Sequence, residues 1–144
     1  KEKKVKVKVI GGESILTAIG ITGLSLYKFG KTASIPFENK NVKTAAEYVK
    51  FNLKNDMHSL VLLDLDPIGN KFLDIEEGIE YLIREKVITS NSMIVGCARL
   101  GWDDQKIKYG QAKDLRLFGK SPYCIIVPSK NLHFMEEEAL EIWK

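Results

Sequence analysis

Ser14 is the side chain whose type and setting point most directly to a ligand. It follows Gly11-Gly12, which suits a tight turn. It precedes Ile15, Leu16, Ile19, Gly23, Leu24 and Tyr27, which fall at helical spacing. A serine so placed caps a helix, and a helix start offers unpaired backbone N–H groups and a hydroxyl to a ligand carboxylate. Asp64 and Asp66 form a second group. They share one side of an extended chain just after the apolar run Leu60–Leu63, where carboxylates bind Mg²⁺ or orient a substrate. The same pair also suits a solvated turn: Asp66 opens Asp66-Pro67-Ile68-Gly69-Asn70 and reads that way, while Asp64 stays open between the two roles. His58 and His133 lack metal-ligand spacing and read as structural histidines. Cys97 and Cys124 sit in apolar, strand-like runs and read as small core residues of a cytosolic protein. There is no phosphate-binding Walker loop, G-x-G-x-x-G, paired C-x-x-C, H-E-x-x-H or G-x-S-x-G elbow.

The elements that must position these residues follow from periodicity. Val5, Val7 and Val9 alternate with Lys4, Lys6 and Lys8, as in a strand with one wet face. The helix from Ser14 carries Gly20 and Gly23, each costing about 1 kcal/mol against alanine, which implies a close neighbour; Gly30 suits its left-handed end. Thr32–Phe37 reads as a short strand cut by Pro36. Val42, Ala46, Val49 and Leu53 mark a helix with Asn41 as its cap. Leu60–Leu63 is a strand covered on both faces, of the kind found in parallel sheets. Asp74 and Glu77 form a capping box for a helix burying Ile75, Ile79, Leu82 and Ile83. Met93–Ala98 is a strand, and Gln105–Tyr109 returns as its hairpin partner with Ile107 and Tyr109 inward. Leu115, Leu117 and Phe118 lie in a connection without assignment before the strand Tyr123–Val127. A closing helix sets Leu132, Met135, Ala139 and Ile142 on one side and Glu136, Glu137, Glu138 and Glu141 on the other. The expected fold is α/β, a single compact domain with a mixed, mostly parallel sheet flanked by helices.

Composition agrees. With 144 residues, 44% hydrophobic and 28% charged, one domain can bury roughly 68–70% of its extended surface and needs no staple. No apolar run approaches a membrane span and no signal peptide is visible. The net charge of +3 rests largely on Lys1, Lys3, Lys4, Lys6 and Lys8. Lysines on an edge strand block sheet-to-sheet pairing, and no aromatic interleaves to stack on bases, so nucleic-acid binding is the weakest reading. The chain opens at Lys1 without a methionine, which suggests a piece of something longer.

Ser14-Ile15, Gly20-Ile21-Thr22-Gly23-Leu24, Tyr27-Lys28-Phe29-Gly30-Lys31, His58-Ser59-Leu60 through Leu63-Asp64, Ala98-Arg99, and Pro122 through Val127-Pro128 together resemble the C-terminal half of the diphthine synthase family, nearly end to end. That family belongs to the tetrapyrrole-methylase-like methyltransferases that use S-adenosyl-L-methionine and release S-adenosyl-L-homocysteine. The resemblance implies methylation of the amino group of a modified histidine on translation elongation factor 2 in diphthamide biosynthesis, in the cytoplasm, by a homodimer of two-domain chains. This chain, residues 1–144, looks like the second domain alone; the glycine-rich loop and Gly-Asp-Pro motif of the first domain are absent from it. Carried across by position, the family's serine–isoleucine cofactor contact falls on Ser14 and Ile15, and its contact before the strand-ending aspartate falls on Leu63. Leu100 stands where the family has a small residue, which narrows the pocket. Tyr123 stands where it has a histidine, so a cofactor contact made by the backbone survives there and one made by an imidazole does not. The implied chemistry requires alignment of two reactants and no metal or dedicated base.

Two further readings compete with this one. One is a catalytically inactive truncated homologue that acts as a binding or assembly module, dimerising through Gly20 and Gly23 or joining a separate first-domain chain. The other is phosphate or nucleic-acid binding through the Lys1–Lys8 face.

Overall fold

In the computed structural model, which describes residues 12–116 and 118–144, the chain is organised by which side chains each strand sends to each face of one sheet. Five strands make it: β1 (Ala33–Ile35), β2 (Ser59–Leu63), β5 (Met93–Ala98), β6 (Lys106–Gln111) and β7 (Tyr123–Val127), in the order β1-β2-β7-β5-β6. Two more, β3 (Leu65–Asp66) and β4 (Lys71–Phe72), form a small hairpin after β2. Val61 and Leu63 of β2, Ile94 and Ala98 of β5, and Ile125 and Val127 of β7 face a core completed by α2 (Thr44–Lys54) and α3 (Ile75–Arg84). Their neighbours Leu60, Val95, Cys97, Cys124 and Ile126 face the other way. There they meet Ile19 and Leu24 of the N-terminal segment and Leu140 of α4 (Phe134–Glu141). Period-2 alternation thus feeds two cores at once, and the strands read as unbroken apolar runs.

That double coverage corrects the expected strand directions. The sheet is mixed, but only β1 and β2 run parallel; β2–β7, β7–β5 and β5–β6 are antiparallel. An apolar run reports that both faces are covered, which parallel sheets usually achieve. Here helices and the N-terminal segment cover an antiparallel centre equally well. The basic alternation over residues 1–9 lies outside the described residues, as does Leu117.

The helix expected from Ser14 to Gly30 is broken into short turns. Ser14 does cap α1 (Ile15–Ala18), with Thr17 completing a reciprocal box. A 3₁₀ turn over Ile19–Thr22 then ends at Gly23, whose φ of 84° is left-handed. Gly23 therefore takes the role expected of Gly30, and a Cβ on it would collide with the Ala139 Cβ of α4. Gly30 is small for another reason: the Asn52 amide occupies the space a side chain would need. Asn52 is fully buried, accepts from Lys31 N–H at 2.9 Å, and donates to the Lys31 carbonyl at 2.8 Å and the Ser59 hydroxyl at 2.9 Å.

Two other helices begin or face differently from expectation. α2 starts at Thr44 with Lys43 before it and no side-chain cap, so Asn41 is not its cap. The Tyr81 hydroxyl serves instead, accepting from Ala46 N–H at 3.3 Å and donating to the Val42 carbonyl at 2.8 Å. In α4, Met135 and Ile142 are exposed, whereas Glu136 is 4% exposed beside the fully buried Leu140. The buried face is turned because polar groups wait for the carboxylate. Glu136 Oε1 accepts from Ser25 N–H at 2.9 Å and pairs with His58 Nε2 at 2.9 Å; Oε2 accepts from His133 N–H at 2.9 Å. His58 Nδ1 accepts from Ser129 N–H at 2.9 Å, so the proton sits on Nε2, which donates to Glu136. Both histidines are structural, His133 capping α4 through Nδ1. In α3 the capping box of Asp74 and Glu77 forms as expected, with Ile75, Ile79 and Leu82 buried and Ile83 exposed. Among the described residues no helix is long and apolar enough to cross a membrane.

Candidate functional site

At one end of the sheet, β1, β2 and β5 finish and the antiparallel β7 begins. Their loops and the Ser14 segment enclose a cavity of about 530 Å³. That volume lies within the range of small-molecule sites, roughly 300–1,000 Å³. β7 lies between β2 and β5 and runs against both, so its start meets the ends of its two neighbours here.

All five residues singled out in the sequence line this one cavity. Ser14 and Ile15 come from the start of α1, Leu63 ends β2, Leu100 follows β5, and Tyr123 starts β7. Ser14 Oγ accepts from Leu16 N–H at 3.2 Å, and its carbonyl accepts from the Thr17 hydroxyl at 2.8 Å, which fixes the turn. The unpaired amides expected at this helix start are largely taken within it: Leu16 N–H donates to Ser14 Oγ, and Thr17 and Ala18 N–H both donate to the Ser14 carbonyl at 2.9 Å. With only four residues, α1 adds no long dipole either. Leu63 is buried and pairs in register with Ile35. Leu100 packs against the core that also holds Cys97 and Ile19. The Tyr123 hydroxyl donates to the Gly119 carbonyl at 3.2 Å, and burial pushes its pKa up.

The structure adds lining residues that no motif announced: Ser34 at the middle of β1, Ala18, Trp102, Glu13, and the thiols Cys97 and Cys124. Ser34 and the two cysteines follow from strand alternation, had the strand order been known. Arg99, next to Leu100, turns aside: its guanidinium stacks 3.6 Å from the Trp102 ring centroid and donates to Asp104 at 2.7 Å. Asp64 lines the cavity, yet its carboxylate already accepts from Leu65 N–H at 3.0 Å and Phe37 N–H at 3.3 Å. Asp66 does not line it; its Oδ1 accepts from Ile68 and Gly69 N–H at 3.1 and 3.0 Å, an ordinary aspartate turn. Among the described residues no group of three or more His, Cys, Asp or Glu side chains could hold a metal ion.

The lining is chemically lopsided. Its charged side chains are Glu13 and Asp64, both acidic, and its apolar ones include Ile15, Ala18, Leu62, Leu63, Leu65 and Leu100. Such a cavity suits a ligand with a flat apolar part, a cationic centre and a few hydrogen-bonding groups.

The chain is 42% identical over 153 residues to the diphthine synthase of Methanocaldococcus jannaschii, a match that covers 98% of this chain and 59% of that protein. It is 37% identical to the diphthine synthase of Methanosphaera stadtmanae, covering 96% and 56%. Among solved structures, a crystal structure of diphthine synthase matches with a TM-score of 0.86 and 36% identity over 98% of this chain and 55% of that one. A diphthine synthase candidate from Entamoeba histolytica matches with a TM-score of 0.89 and 38% identity, over 97% and 60%. No protein-family model matches the chain. The chain therefore has the fold found in diphthine synthase structures and spans a little over half the length of these relatives.

Proposed function

We propose that this chain, a relative of the diphthine synthases, is the cofactor-holding part of an S-adenosylmethionine-dependent methyltransferase acting on the amino group of a modified histidine of translation elongation factor 2. The observation that carries the reading is convergence. Ser14, Ile15, Leu63, Leu100 and Tyr123 come from four separate places in the chain and meet around one cavity. In the same reading the working enzyme is a homodimer of longer chains, with a first domain closing the cavity from outside.

When bound, the cofactor would supply an activated methyl group, whose carbon a neutral amine can attack as the thioether S-adenosyl-L-homocysteine leaves. The chain's own contribution is positioning. Ile15, Leu63 and Leu100 form apolar walls, the Ser14 hydroxyl, which accepts from Leu16 N–H, has its own proton to donate to a ligand carboxylate, and Glu13 and Asp64 favour the cationic part. Holding reactants in line in this way is worth on the order of 7–11 kcal/mol when the geometry is kept.

Calorimetric titration of S-adenosyl-L-homocysteine into the chain tests the reading. One-to-one binding is expected, and it should disappear in Leu100→Trp, which fills the cavity, with circular dichroism unchanged. A folded chain that gives no binding heat, or equal binding by Leu100→Trp, overturns the reading and favours a module without cofactor.

A further inference from the structure

The floor of this cavity carries two thiols that the methyl-transfer reading leaves without a part. Cys97 of β5 and Cys124 of β7 are direct cross-strand partners, so their side chains leave the same face of the sheet. Both are free, both line the cavity, and at 1% and 3% exposure they sit at its closed end.

The ladder sets their spacing. Arg99 N–H donates to the Pro122 carbonyl at 2.9 Å, so residues 99 and 122 are a hydrogen-bonded pair. Two residues further along both strands, 97 and 124 form another pair of the same kind. Such pairs hold their Cα atoms about 5.5 Å apart, and their Cβ atoms lie at the wide end of the 4.5–5.5 Å cross-strand range. A disulfide wants its Cβ atoms about 3.5–4.5 Å apart. The Cα spacing lies inside the disulfide range while the Cβ spacing falls at or beyond its upper end, so a bridge with one atom between the sulfurs spans the pair with less strain than a direct S–S bond.

We propose that Cys97 and Cys124 form a dithiol site that captures a thiophilic electrophile carrying two replaceable groups on one atom, of the trivalent organoarsenical class. With an arsonous acid, R–As(OH)₂, each sulfur forms a bond to arsenic and two As–O bonds break. The two thiol protons leave with the two hydroxides as water. Arsenic stays trivalent, so no oxidant or reductant is needed. Contact with Cys124, and then burial, push the Cys97 thiol well above its usual range. Little thiolate is present at neutral pH in consequence, which slows attack on any electrophile, so what favours the arsenical is the second, intramolecular As–S bond.

Phenylarsine oxide, which hydrates to such an acid, is the probe. Added to the native chain at equal concentration and followed by intact-mass spectrometry, it should give one phenylarsenic adduct per chain. Both thiols should be lost to a thiol reagent applied after unfolding, and excess ethanedithiol should reverse the capture. Cys97→Ala and Cys124→Ala should each weaken capture by roughly 100-fold or more, the loss expected when a second attachment is no longer intramolecular. No adduct on the native chain, an adduct formed only after unfolding, or equal capture by either variant overturns the proposal. Capture that S-adenosyl-L-homocysteine slows supports both the dithiol site and the cofactor reading. Capture that it does not slow still supports the dithiol site and counts against the cofactor reading alone.

Discussion

Replacing Glu136 by glutamine should destabilise the chain by about 4–6 kcal/mol at pH 7, and about 2 kcal/mol of that deficit should vanish by pH 3. Burial pushes the Glu136 carboxyl upward, but the His133 and Ser25 N–H groups and the His58 imidazole outweigh it and hold the group at about 2, against an ordinary 4.5. At about 1.36 kcal/mol per pKa unit, that difference stabilises the folded chain by about 3 kcal/mol wherever the unfolded carboxyl is ionised. The direction follows from the depressed value. The contribution is complete above pH 4.5 and is lost as pH falls toward 2, being about 1 kcal/mol at pH 3. Glutamine keeps one acceptor oxygen for Ser25 and His58 but turns an NH₂ toward His133 N–H, leaving a buried donor unpaired, itself a cost of about 1–3 kcal/mol. Urea unfolding followed by circular dichroism at pH 7, 5 and 3 measures both parts. The gap between wild type and Glu136→Gln should narrow by about 2 kcal/mol between pH 7 and pH 3. A variant within about 0.5 kcal/mol of wild type at pH 7, or a gap that does not change with pH, would refute the reasoning. His58 adds a second slope, steeper in the variant because the carboxylate that supports the imidazolium is gone. Burial lowers its pKa, partly countered by Glu136, so stability begins to fall below about pH 6.5 as the unfolded imidazole takes up a proton.

Gly23→Ala should cost upwards of about 2 kcal/mol, since it adds left-handed strain to a collision with Ala139, and should also weaken S-adenosyl-L-homocysteine binding because α1 is carried on the same segment; chemical denaturation with calorimetry reads both, and an unchanged midpoint would count against the close approach. Tyr123→Phe removes only the bond to the Gly119 carbonyl, so it should cost about 1 kcal/mol of stability and leave cofactor affinity within about twofold; a larger loss of affinity would mean that the phenol itself meets the ligand.

Much of this fold can be read from the sequence where one local cause fixes the answer. The Ser14 cap, the Asp74–Glu77 box, the β5–β6 hairpin and the aspartate turn at Asp66 each depend on neighbours a few residues away. The errors arise where a distant partner decides. Glu136 looks solvated among acidic neighbours until His58 and Ser25 are brought to it, and Gly30 looks like a helix end until Asn52 is seen filling its space. The direction of β7 is likewise invisible in an apolar run covered on both faces. For the site, the family resemblance supplied the five residues that share the cavity. Periodicity alone offered Ser14 as a ligand-facing start, and left Ser34, Trp102 and the cysteine pair unmarked because their neighbourhood depends on strand order.

The position of β7 also bears on how the chain folds. The strand that occupies the middle of the sheet is the last of the five to be synthesised, and it pairs Val127 with Ser59 on one side and Tyr123 with Ala98 on the other. Until it arrives, β1–β2 and β5–β6 are two separate strand pairs with no shared ladder, and two-stranded units are marginal in water. Closing the sheet therefore requires distant contacts formed late in synthesis, the class of contact associated with slow folding. A nascent chain stalled before residue 123 would expose the apolar faces of β2 and β5 along open edges, the form most prone to aggregate.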